Sequence, residues 1–375
     1  MNKVSFPVIG NYSIPATYLL KHILDSEIIV PPNITRNTIE LGNINSPEFV
    51  CTPFKYTLGT YIEVLNKGAN VLFQFGGGCR YGYYFELQEK ILKDLGYNFK
   101  YINLVSKGKA EPKLIYKKLK EINPKLKLDR LLYHTFITSK MIKYMDKCDH
   151  YIRRNIGFEE ELGSMEKINK EMLNKFLNTK GYFNLRRIYK KYLKKLKKVK
   201  INKPKNTLKI GIIGELYTIM EPFANYYLER ELASYNIEIK RFTNVHYLLF
   251  EKHKNNKKIF KYAKEYIKYK MGADSHDNIA RCKYLCENNY DGIIHIKSAF
   301  CTPEIGAMGI INKICKEYDV PIIFFSFDAN TSEVGIKTRL EAFYDMIEMR
   351  KKNEKLLSRN WYRFNINKRG NNRWR

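Results

Sequence analysis

Short apolar runs alternate with stretches of helical periodicity in two separate parts of the chain. Turn-forming residues bound each run, a pattern that is typical of a buried strand in a parallel sheet. Between the runs, apolar residues recur three or four positions apart, which predicts amphipathic helices, among them residues 52–66, 223–235 and 245–269. The predicted strands are residues 4–7, 27–30, 70–75, 99–104, 208–215, 237–241, 292–297 and 321–326. This alternation predicts an α/β fold with two doubly wound, Rossmann-like domains whose sheets are mainly parallel.

The pattern changes between these two parts, where strand signals nearly vanish. A strongly basic helix is predicted over residues 186–200, and the residues from 351 onward are basic and aromatic without periodicity. We interpret the first as part of a connecting region and the second as a mobile tail. The predicted divisions are an N-terminal α/β domain (1–105), a helical basic connecting region (106–205), a C-terminal α/β domain (206–350) and a basic mobile tail (351–375).

Three cysteines stand where predicted helices begin. Cys79 follows the strand 70–75 and three glycines, and Cys301 follows the strand 292–297. Cys51 and Cys301 both open the sequence Cys-Thr-Pro, and proline is favoured in the first helical turn. Parallel sheets bind ligands at the carboxyl ends of their strands, and free N–H groups at a helix start stabilise a thiolate. The pattern has two interpretations, a shared metal site or three small apolar loop residues.

If these cysteines share a site, their spacing indicates the kind of metal. Structural zinc sites usually close with four ligands from compact motifs, whereas these thiols come from distant turns. Three thiolates in a glycine-rich pocket suit an iron–sulfur cluster with one iron open to another ligand. We therefore assign metal binding to Cys51, Cys79 and Cys301, and cofactor binding to Gly76, Gly77, Gly78 and Arg80.

Polar side chains flank the same predicted strand ends. Lys297 and Glu304 lie on either side of Cys301, and Asp328 follows the last predicted strand. These three side chains are catalytic candidates, as charge partners or proton carriers beside the cluster. The alternative is that they are helix caps and surface ion pairs. His295 lies inside an apolar strand and is predicted to be a core residue.

The chain has further cysteines away from these turns. Cys282 and Cys286 are four residues apart on a predicted helix, so they could share a face. Cys315 lies on the apolar face of another predicted helix with Ile311 and Ile314, where we expect a serine to be harmless.

The composition adds a strong positive charge to this picture. The formal net charge is +29 at pH 7, which favours attraction to nucleic acid, anionic cofactors or acidic proteins. The alternatives are a solvated helix face and compositional drift. No segment has the ~20 unbroken apolar residues of a membrane span, and residues 1–7 lack a signal-peptide pattern. With seven unevenly spaced cysteines, we expect a cytoplasmic protein with reduced thiols.

Two glycine-containing segments do not form nucleotide-binding motifs. Residues 335–338 hold a lysine and a threonine, but no glycine stands at the upstream spacing that a P-loop requires. Residues 211–214 lack the dinucleotide-binding spacing, and Glu215 would repel a pyrophosphate at that turn. A low-potential centre in this chain would therefore receive its electrons from a separate protein.

Five segments together resemble a known family: residues 46–58, 76–88, 214–222, 301–308 and 326–343. They are similar to the activase-related family within the 2-hydroxyacyl-CoA dehydratase superfamily. The resemblance implies two α/β domains that hold an oxygen-sensitive 4Fe-4S cluster, with Cys51, Cys79 and Cys301 in its cysteine-bearing turns. It also implies an ATP-dependent activase that passes an electron to such a subunit, which then removes water from a 2-hydroxyacyl-CoA by radical chemistry. The basic tail departs from the family pattern.

The combined expectation is an iron–sulfur redox protein, either a dehydratase-like enzyme or an electron relay. Its expected partners are an activase or another electron donor, a second subunit in a homo- or hetero-dimer, and weakly bound, nonspecific nucleic acid. The alternative from another class is a basic nucleic-acid-binding protein with structural cysteines.

Overall fold

The computed structural model describes residues 1–74, 76, 79–105, 111–269 and 271–371. The strands are β1 (Lys3–Ser5), β2 (Glu27–Ile28), β3 (Val71–Gln74), β4 (Lys100–Asn103), β5 (Lys209–Gly214), β6 (Glu238–Arg241), β7 (Gly292–Ser298) and β8 (Ile322–Phe327). The helices are α1 (Ser13–Ile23), α2 (Arg36–Ile44), α3 (Thr52–Asn66), α4 (Tyr84–Asp94), α5 (Pro112–Lys120), α6 (Leu128–Asn155), α7 (Ser164–Leu177), α8 (Tyr182–Lys198), α9 (Leu216–Met220), α10 (Leu228–Ser234), α11 (Lys252–Tyr262), α12 (Ser275–Glu287), α13 (Thr302–Glu317) and α14 (Glu333–Asn371).

In the described residues, the strands form two four-stranded sheets with the orders β2-β1-β3-β4 and β6-β5-β7-β8. Every pairing within them is parallel. In the first sheet, the connections from β1 lead first to one side and then to the other, so the topological switch point lies between β1 and β3. In the second sheet, it lies between β5 and β7. Such switch points leave a crevice at the carboxyl ends of the strands. The predicted α/β fold with two Rossmann-like parallel sheets is confirmed.

Each sheet is covered by helices on both faces. All residues of β3 and of β7 are buried, as expected for parallel strands between two helical layers. In the first sheet, α1 and α5 cover one face and α3 and α4 the other. In the second sheet, α6, α8 and α14 pack on one face, whereas α12 and α13 pack on the other.

The basic helix α8 is amphipathic. Leu185, Tyr192 and Leu196 are buried against the core that α6, α7 and the second sheet share. Its lysines at positions 190, 191, 194, 195, 197 and 198 are exposed. The lysines therefore form a solvated face, and they leave the apolar face free to pack.

Three segments differ from the sequence-based expectations. The helix predicted over residues 223–235 is interrupted, because Tyr226 and Tyr227 take positive φ angles of 53° and 55°. The helix predicted over residues 245–269 opens with a π-helical turn at Tyr247–Glu251 and ends at Tyr262. The final helix, α14, runs on to Asn371 and so includes most of the predicted tail.

Polar and aromatic contacts join the two halves of the chain. The Gly10 peptide N–H donates a hydrogen bond to the Glu221 carboxylate at 2.6 Å. The rings of Tyr56 and Tyr217 stack with their centroids 5.8 Å apart. The carboxyl ends of the two sheets consequently face a common boundary.

The helix α3, which Cys51 precedes, has an unusually close neighbour in α2. A Cβ atom at Gly42 would lie 1.8 Å from the Lys55 carbonyl oxygen, and one at Gly59 would lie 1.9 Å from that of Thr38. Only glycine permits this approach, which fixes the direction of α3 and therefore the position of its first turn. Across the residues described, no helix combines the length and apolar character that a bilayer crossing requires.

Candidate metal centre

Cys51 and Cys301 occupy matching positions at helix starts. Each is the residue before its helix, each has an extended backbone, and each is followed by a proline in the first turn. Both side chains are 9% exposed. Because proline has no N–H to leave unpaired, it suits the first turn and holds the cysteine at the point where the chain enters the helix.

Cys79 lies in a tighter turn after β3. It precedes a 3-10 turn at Arg80–Tyr83, and the Tyr81 peptide N–H donates a hydrogen bond to its Sγ at 3.4 Å. The side chain is half-buried. The sulfur therefore points back towards the start of its own helical turn.

Contacts across the boundary bring these three turns together. The Arg80 guanidinium donates a hydrogen bond to the Phe300 carbonyl oxygen. The rings of Phe49 and Phe300 meet edge to face, with their centroids 5.6 Å apart. The Thr52 peptide N–H donates to the Ser298 hydroxyl at 2.7 Å. The turns of Cys79 and Cys51 are thus each linked to the turn of Cys301, through the residue that follows the cysteine.

A cleft of about 450 Å³ opens beside the turns of Cys79 and Cys301. The start of α13 forms one of its walls, and the turn after β3 forms another. The lining residues are Cys79, Arg80, Met271, Gly272, Thr302, Pro303 and Gly306. A small ligand in this space would lie next to Cys79 and to the residues that follow Cys301.

Burial dominates the acidity of the three thiols. It raises the pKa of Cys51 to about 12, although the Tyr84 hydroxyl, 3.0 Å from Cys51 Sγ, acts in the opposite direction. Burial likewise raises the pKa of Cys79 and of Cys301, and an ionised Glu215 adds to both increases. The charge of Cys79 also acts on Cys51, and that of Cys51 acts on Cys301. The thiols lie within electrostatic reach of one another, in surroundings where free thiolates are costly.

Peptide groups oppose this cost at the two helix starts. The peptide group of Phe54 acts to lower the pKa of Cys51, and that of Glu304 acts to lower the pKa of Cys301, although neither sulfur accepts a cap hydrogen bond at its helix start. Both peptide groups belong to the first turn of a helix, where N–H groups face the residue before the helix, and the Phe54 N–H donates to the Cys51 carbonyl oxygen at 2.9 Å. These starts therefore favour negative charge on sulfur, although burial outweighs them in the free thiols.

Glu215 lies at the switch point of the second sheet. Gly214 has a φ of +136°, and a Cβ there would lie 1.8 Å from the Ile296 carbonyl oxygen, so β5 approaches β7 closely at this position. The Glu215 carboxylate accepts hydrogen bonds from the peptide N–H groups of Tyr217 and Thr218, at 2.8 and 2.9 Å. Burial raises its pKa, and these N–H groups oppose that increase. Glu215 caps α9, and its charge acts on the thiols of the cleft.

Two of the predicted catalytic residues lie near Cys301. Lys297 is buried, which lowers its pKa, whereas the charges of Cys301 and Glu304 act to raise it. Glu304 is 1% exposed, and its carboxylate lies 2.8 Å from His295 Nε2 and 3.0 Å from Asn278 Nδ2. The carboxylate is therefore engaged on both oxygens, whereas the Lys297 ammonium donates to the Ala299 carbonyl oxygen at 3.3 Å, in the turn before Cys301.

Asp328 lies in a different place. Its carboxylate accepts hydrogen bonds from the Asn330 peptide N–H and the Thr331 hydroxyl, at 2.8 and 3.0 Å, and so closes its own loop. A second cavity of about 360 Å³ adjoins it at the boundary between the halves. The lining residues are Asn43, Ser46, Glu48, Lys55, Phe300, Asp328, Ala329 and Asn330. Asp328 thus shares a cavity with Lys55, separate from the cleft beside Cys79.

The predicted cofactor-binding residues are only partly covered by the structure. Gly76 is partly buried, and a Cβ there would lie 3.9 Å from the Tyr81 ring. Gly77 and Gly78 lie outside the described residues. Arg80 is exposed and lines the cleft.

Sequence reasoning missed several polar neighbours of the site. The Tyr84 hydroxyl reaches Cys51 from α4, and nothing in the periodicity of that helix singled it out. Asp274 stands directly before α12, its charge acts on Cys79, and Lys252 pairs with it at 2.5 Å. An aspartate before a helix is a recognisable cap signal, so Asp274 could have been identified. His295 is fully buried, as predicted, but its pairing with Glu304 was not foreseen.

Comparison with known proteins adds an independent observation. The chain matches the family described as 2-hydroxyglutaryl-CoA dehydratase, D-component, over residues 115–347. Cys301 lies inside the matched region, whereas Cys51 and Cys79 precede it. No curated protein matches the chain. The match covers more than half of the 375 residues, so the chain belongs to the 2-hydroxyglutaryl-CoA dehydratase D-component family, as its resemblance to the dehydratase superfamily predicted.

Proposed function

We propose that this chain is an iron–sulfur subunit of a 2-hydroxyacyl-CoA dehydratase-type system, with a 4Fe-4S cluster on Cys51, Cys79 and Cys301. The observation that carries the proposal is the convergence of three cysteine-bearing turns on one boundary, next to a cleft of about 450 Å³. Family membership supports the same class of protein. The proposal covers both an enzyme and an electron relay.

The donor set suits such a cluster. Thiolates are the usual protein ligands of iron–sulfur clusters, and peptide groups in the first turns of α3 and α13 favour negative charge on two of these sulfurs. Among the described residues, Cys51, Cys79 and Cys301 do not form a group whose ligand atoms lie close enough together to bind one metal ion. A single ion needs sulfurs in close contact, whereas a cubane spreads its ligands further apart. Three thiolates would leave one iron of a cubane for a substrate oxygen, water or another small ligand.

When bound, the cluster would supply one-electron chemistry at low potential. The chain's own residues would bind and orient the ligand in the cleft. Arg80, at the wall of the cleft, offers an exposed cation that would attract an anionic acyl-CoA. Lys297 would hold positive charge beside Cys301 and offset the anionic ligand set. Tyr84 would donate a hydrogen bond to the Cys51 sulfur, which is one of the ways a protein raises a cluster potential.

The electrons would come from another protein. The sequence has no phosphate-binding loop of the P-loop type and no dinucleotide-binding turn. We therefore propose an ATP-hydrolysing activase, or a comparable electron donor, as partner, and a homo- or hetero-dimer as the working assembly. The donor would dock where the cleft reaches the surface, near Arg80.

The ligand assignment is tested with protein prepared without oxygen. We expect brown protein that contains iron and sulfide, and we expect Cys51→Ser, Cys79→Ser or Cys301→Ser to lose most of the iron. Cys148→Ser is the matched control, because Cys148 is fully buried in α6 among apolar residues. A triple variant of the three cleft cysteines that retained full iron content would rule out this ligand set.

The choice between enzyme and relay needs the partner. The purified protein is mixed with ATP, a reductant and a candidate activase, and the cluster is followed by electron paramagnetic resonance. A signal that shifts when a 2-hydroxyacyl-CoA is added indicates an enzyme, whereas reduction without any response to the acyl-CoA indicates a relay. ATP hydrolysis by this chain alone would contradict the proposal that a separate protein hydrolyses ATP and supplies the electron.

A further inference from the structure

A second group of cysteines lies far from the cleft, between α12 and α13. Cys282 and Cys286 come from α12 and Cys315 from α13, and their Sγ atoms all lie within 4.8 Å of one another. The sulfurs of Cys282 and Cys315 are 3.5 Å apart. Cys315 is fourteen residues beyond Cys301 on the same helix, which corresponds to about 20 Å. This group is therefore physically separate from the candidate metal centre.

The surroundings of this group are apolar. The exposed fractions are 0% for Cys282, 2% for Cys315 and 7% for Cys286, and the neighbouring core residues include Ile279 and Ile311. The Ile311 carbonyl oxygen, 3.8 Å from Cys282 Sγ, is a distant acceptor for its thiol. The sulfurs consequently face one another more closely than they face other polar groups.

The spacing of the sulfurs matches a trigonal metal site. A metal–sulfur bond is about 2.3 Å, so three sulfurs around a metal in their own plane lie about 4 Å apart. The 3.5 Å separation of Cys282 and Cys315 and the 4.8 Å limit on all three pairs bracket this value. A metal ion could enter the centre of the triangle with small side-chain rotations and no movement of the helices.

We propose that Cys282, Cys286 and Cys315 form a thiolate site for a single soft metal ion, with Cu⁺ as the cation that the donor set fits best. Soft thiolates select Cu⁺ and Zn²⁺ over harder cations. Among the residues that the structure describes, no histidine or carboxylate joins the group. Structural zinc usually takes four ligands, whereas Cu⁺ accepts three. Metal binding would replace the protons of the coordinating thiols, which pass to solvent.

Such a site would clamp α12 to α13. The two helices cover the same face of the second sheet, and α13 carries Cys301 at its other end. Because a metal that binds only the folded chain stabilises it by mass action, loading the site should raise the unfolding temperature. The inference does not depend on the proposed function, since it uses none of the cleft residues.

The test uses the full-length chain with Cys51, Cys79 and Cys301 changed to alanine, so that the cleft cannot take up the probe. The protein is reduced, kept free of oxygen and titrated with Cu⁺ in competition with a chromophoric chelator. We expect one tightly held Cu⁺ per chain, three sulfur neighbours in X-ray absorption, and a rise in unfolding temperature. A parallel titration with Zn²⁺ should give weaker binding.

Two further variants in this background keep the test decisive. Cys282→Ala should abolish the tight Cu⁺ site, whereas Cys148→Ala, which removes an equally buried thiol on α6, should preserve it. Circular dichroism before metal addition checks that both variants are folded. Equal Cu⁺ binding in the two variants would overturn the proposal. A parent that does not bind Cu⁺ tightly would also overturn it. The same holds if Cys282 and Cys315 form a disulfide in the parent instead of binding the metal.

Discussion

The peptide N–H of Thr52 donates a 2.7 Å hydrogen bond to the hydroxyl of Ser298. The Thr52 hydroxyl lies 3.0 Å from the same oxygen and donates to the Phe327 carbonyl at 2.9 Å. Both residues are buried, and they are neighbours of Cys51 and Cys301 in their respective turns. A pair of small hydroxyl side chains thus fixes the start of α3 against the carboxyl ends of β7 and β8.

Replacing Ser298 by alanine should loosen this junction. The buried N–H of Thr52 would lose its acceptor, which costs about 1–3 kcal/mol of unfolding free energy. Because the turn of Cys51 is then less well held against that of Cys301, we also expect the variant to lose iron faster under a chelator. Urea denaturation and iron release measure the two effects. Ser139→Ala is the control, because that hydroxyl is exposed and bonds only within α6, to the Phe136 carbonyl. Equal stability of Ser298→Ala and the control would contradict the prediction.

The buried pair of His295 and Glu304 should be important for stability. Glu304→Ala leaves His295 Nε2 without its partner and removes one of the two acceptors of the Asn278 amide, which also donates to the Gly214 carbonyl oxygen at 2.9 Å. Such a loss typically costs about 1–3 kcal/mol for each buried polar group. Glu304→Gln preserves the size of the side chain and one acceptor oxygen, so its effect should be smaller. Urea denaturation compares both with Glu317→Ala, an exposed position on the same helix, where a loss of about 0–1 kcal/mol is expected. A loss for Glu304→Ala in that control range would show that the pair is not stabilising.

The pH dependence of stability should include a contribution from Glu229. Burial alone would raise the pKa of Glu229, but the Arg153 and Arg241 guanidinium groups, at 2.9 and 2.7 Å, override it and hold the pKa below its usual range. The unfolded chain therefore takes up this proton first, at about pH 4.3. The stabilisation is complete above that pH, and it is lost as the pH falls through the lower folded pKa.

Glu229→Gln should therefore reduce stability at pH 7 and make the decline below about pH 4.3 shallower than in the parent chain. Unfolding free energies measured from pH 7 to pH 3 check both effects. Glu231→Gln is the control on the same helix, because its nearest cation, Lys337, lies 4.0 Å away. If Glu229→Gln and the parent had parallel pH profiles, the carboxylate would not be the group responsible.

The exposed lysines of α8 should give only weak attraction to nucleic acid. We expect nonspecific binding to duplex DNA with a dissociation constant of about 10⁻⁴–10⁻⁶ M at physiological salt, which weakens steeply as salt rises. Changing Lys194, Lys197 and Lys198 to glutamine should flatten the dependence of log K on log salt, by about 0.9 for each phosphate that the protein no longer neutralises. Lys90→Gln, on the exposed side of α4, serves as the control. Tight, sequence-selective binding at physiological salt would favour the nucleic-acid-binding alternative.

Local signals in the sequence were sufficient for the helix that follows Cys51. The prediction ends that helix at Asn66, and α3 spans Thr52–Asn66, because Pro53 suits a first turn and Gly68 takes a positive φ just beyond the last turn. The interruption at Tyr226 and Tyr227 had no such signal, since tyrosine seldom adopts a positive φ and does so here only in its tertiary setting.

Contacts between elements were harder to foresee. The i,i+4 spacing correctly placed Cys282 and Cys286 close together, but the arrival of Cys315 depends on how α13 packs on α12. Cys315 lies on the apolar face of α13 with Ile311 and Ile314, as predicted, but its contact with the Cys282 sulfur was not foreseen. The partner of Glu304 was missed for the same reason, since His295 reaches it from a neighbouring strand.

The matching strand orders of the two sheets have a consequence for how the cysteines are distributed. In topology, the chain contains one βα unit twice, and Cys79 after β3 corresponds to Cys301 after β7. The helix before β3 begins after Cys51, whereas its counterpart before β7 begins after Asp274. The repeated strand order therefore has four corresponding positions, of which three carry a thiol and the fourth a carboxylate. At the one position of this repeat where a fourth sulfur would stand, the chain carries an oxygen donor instead.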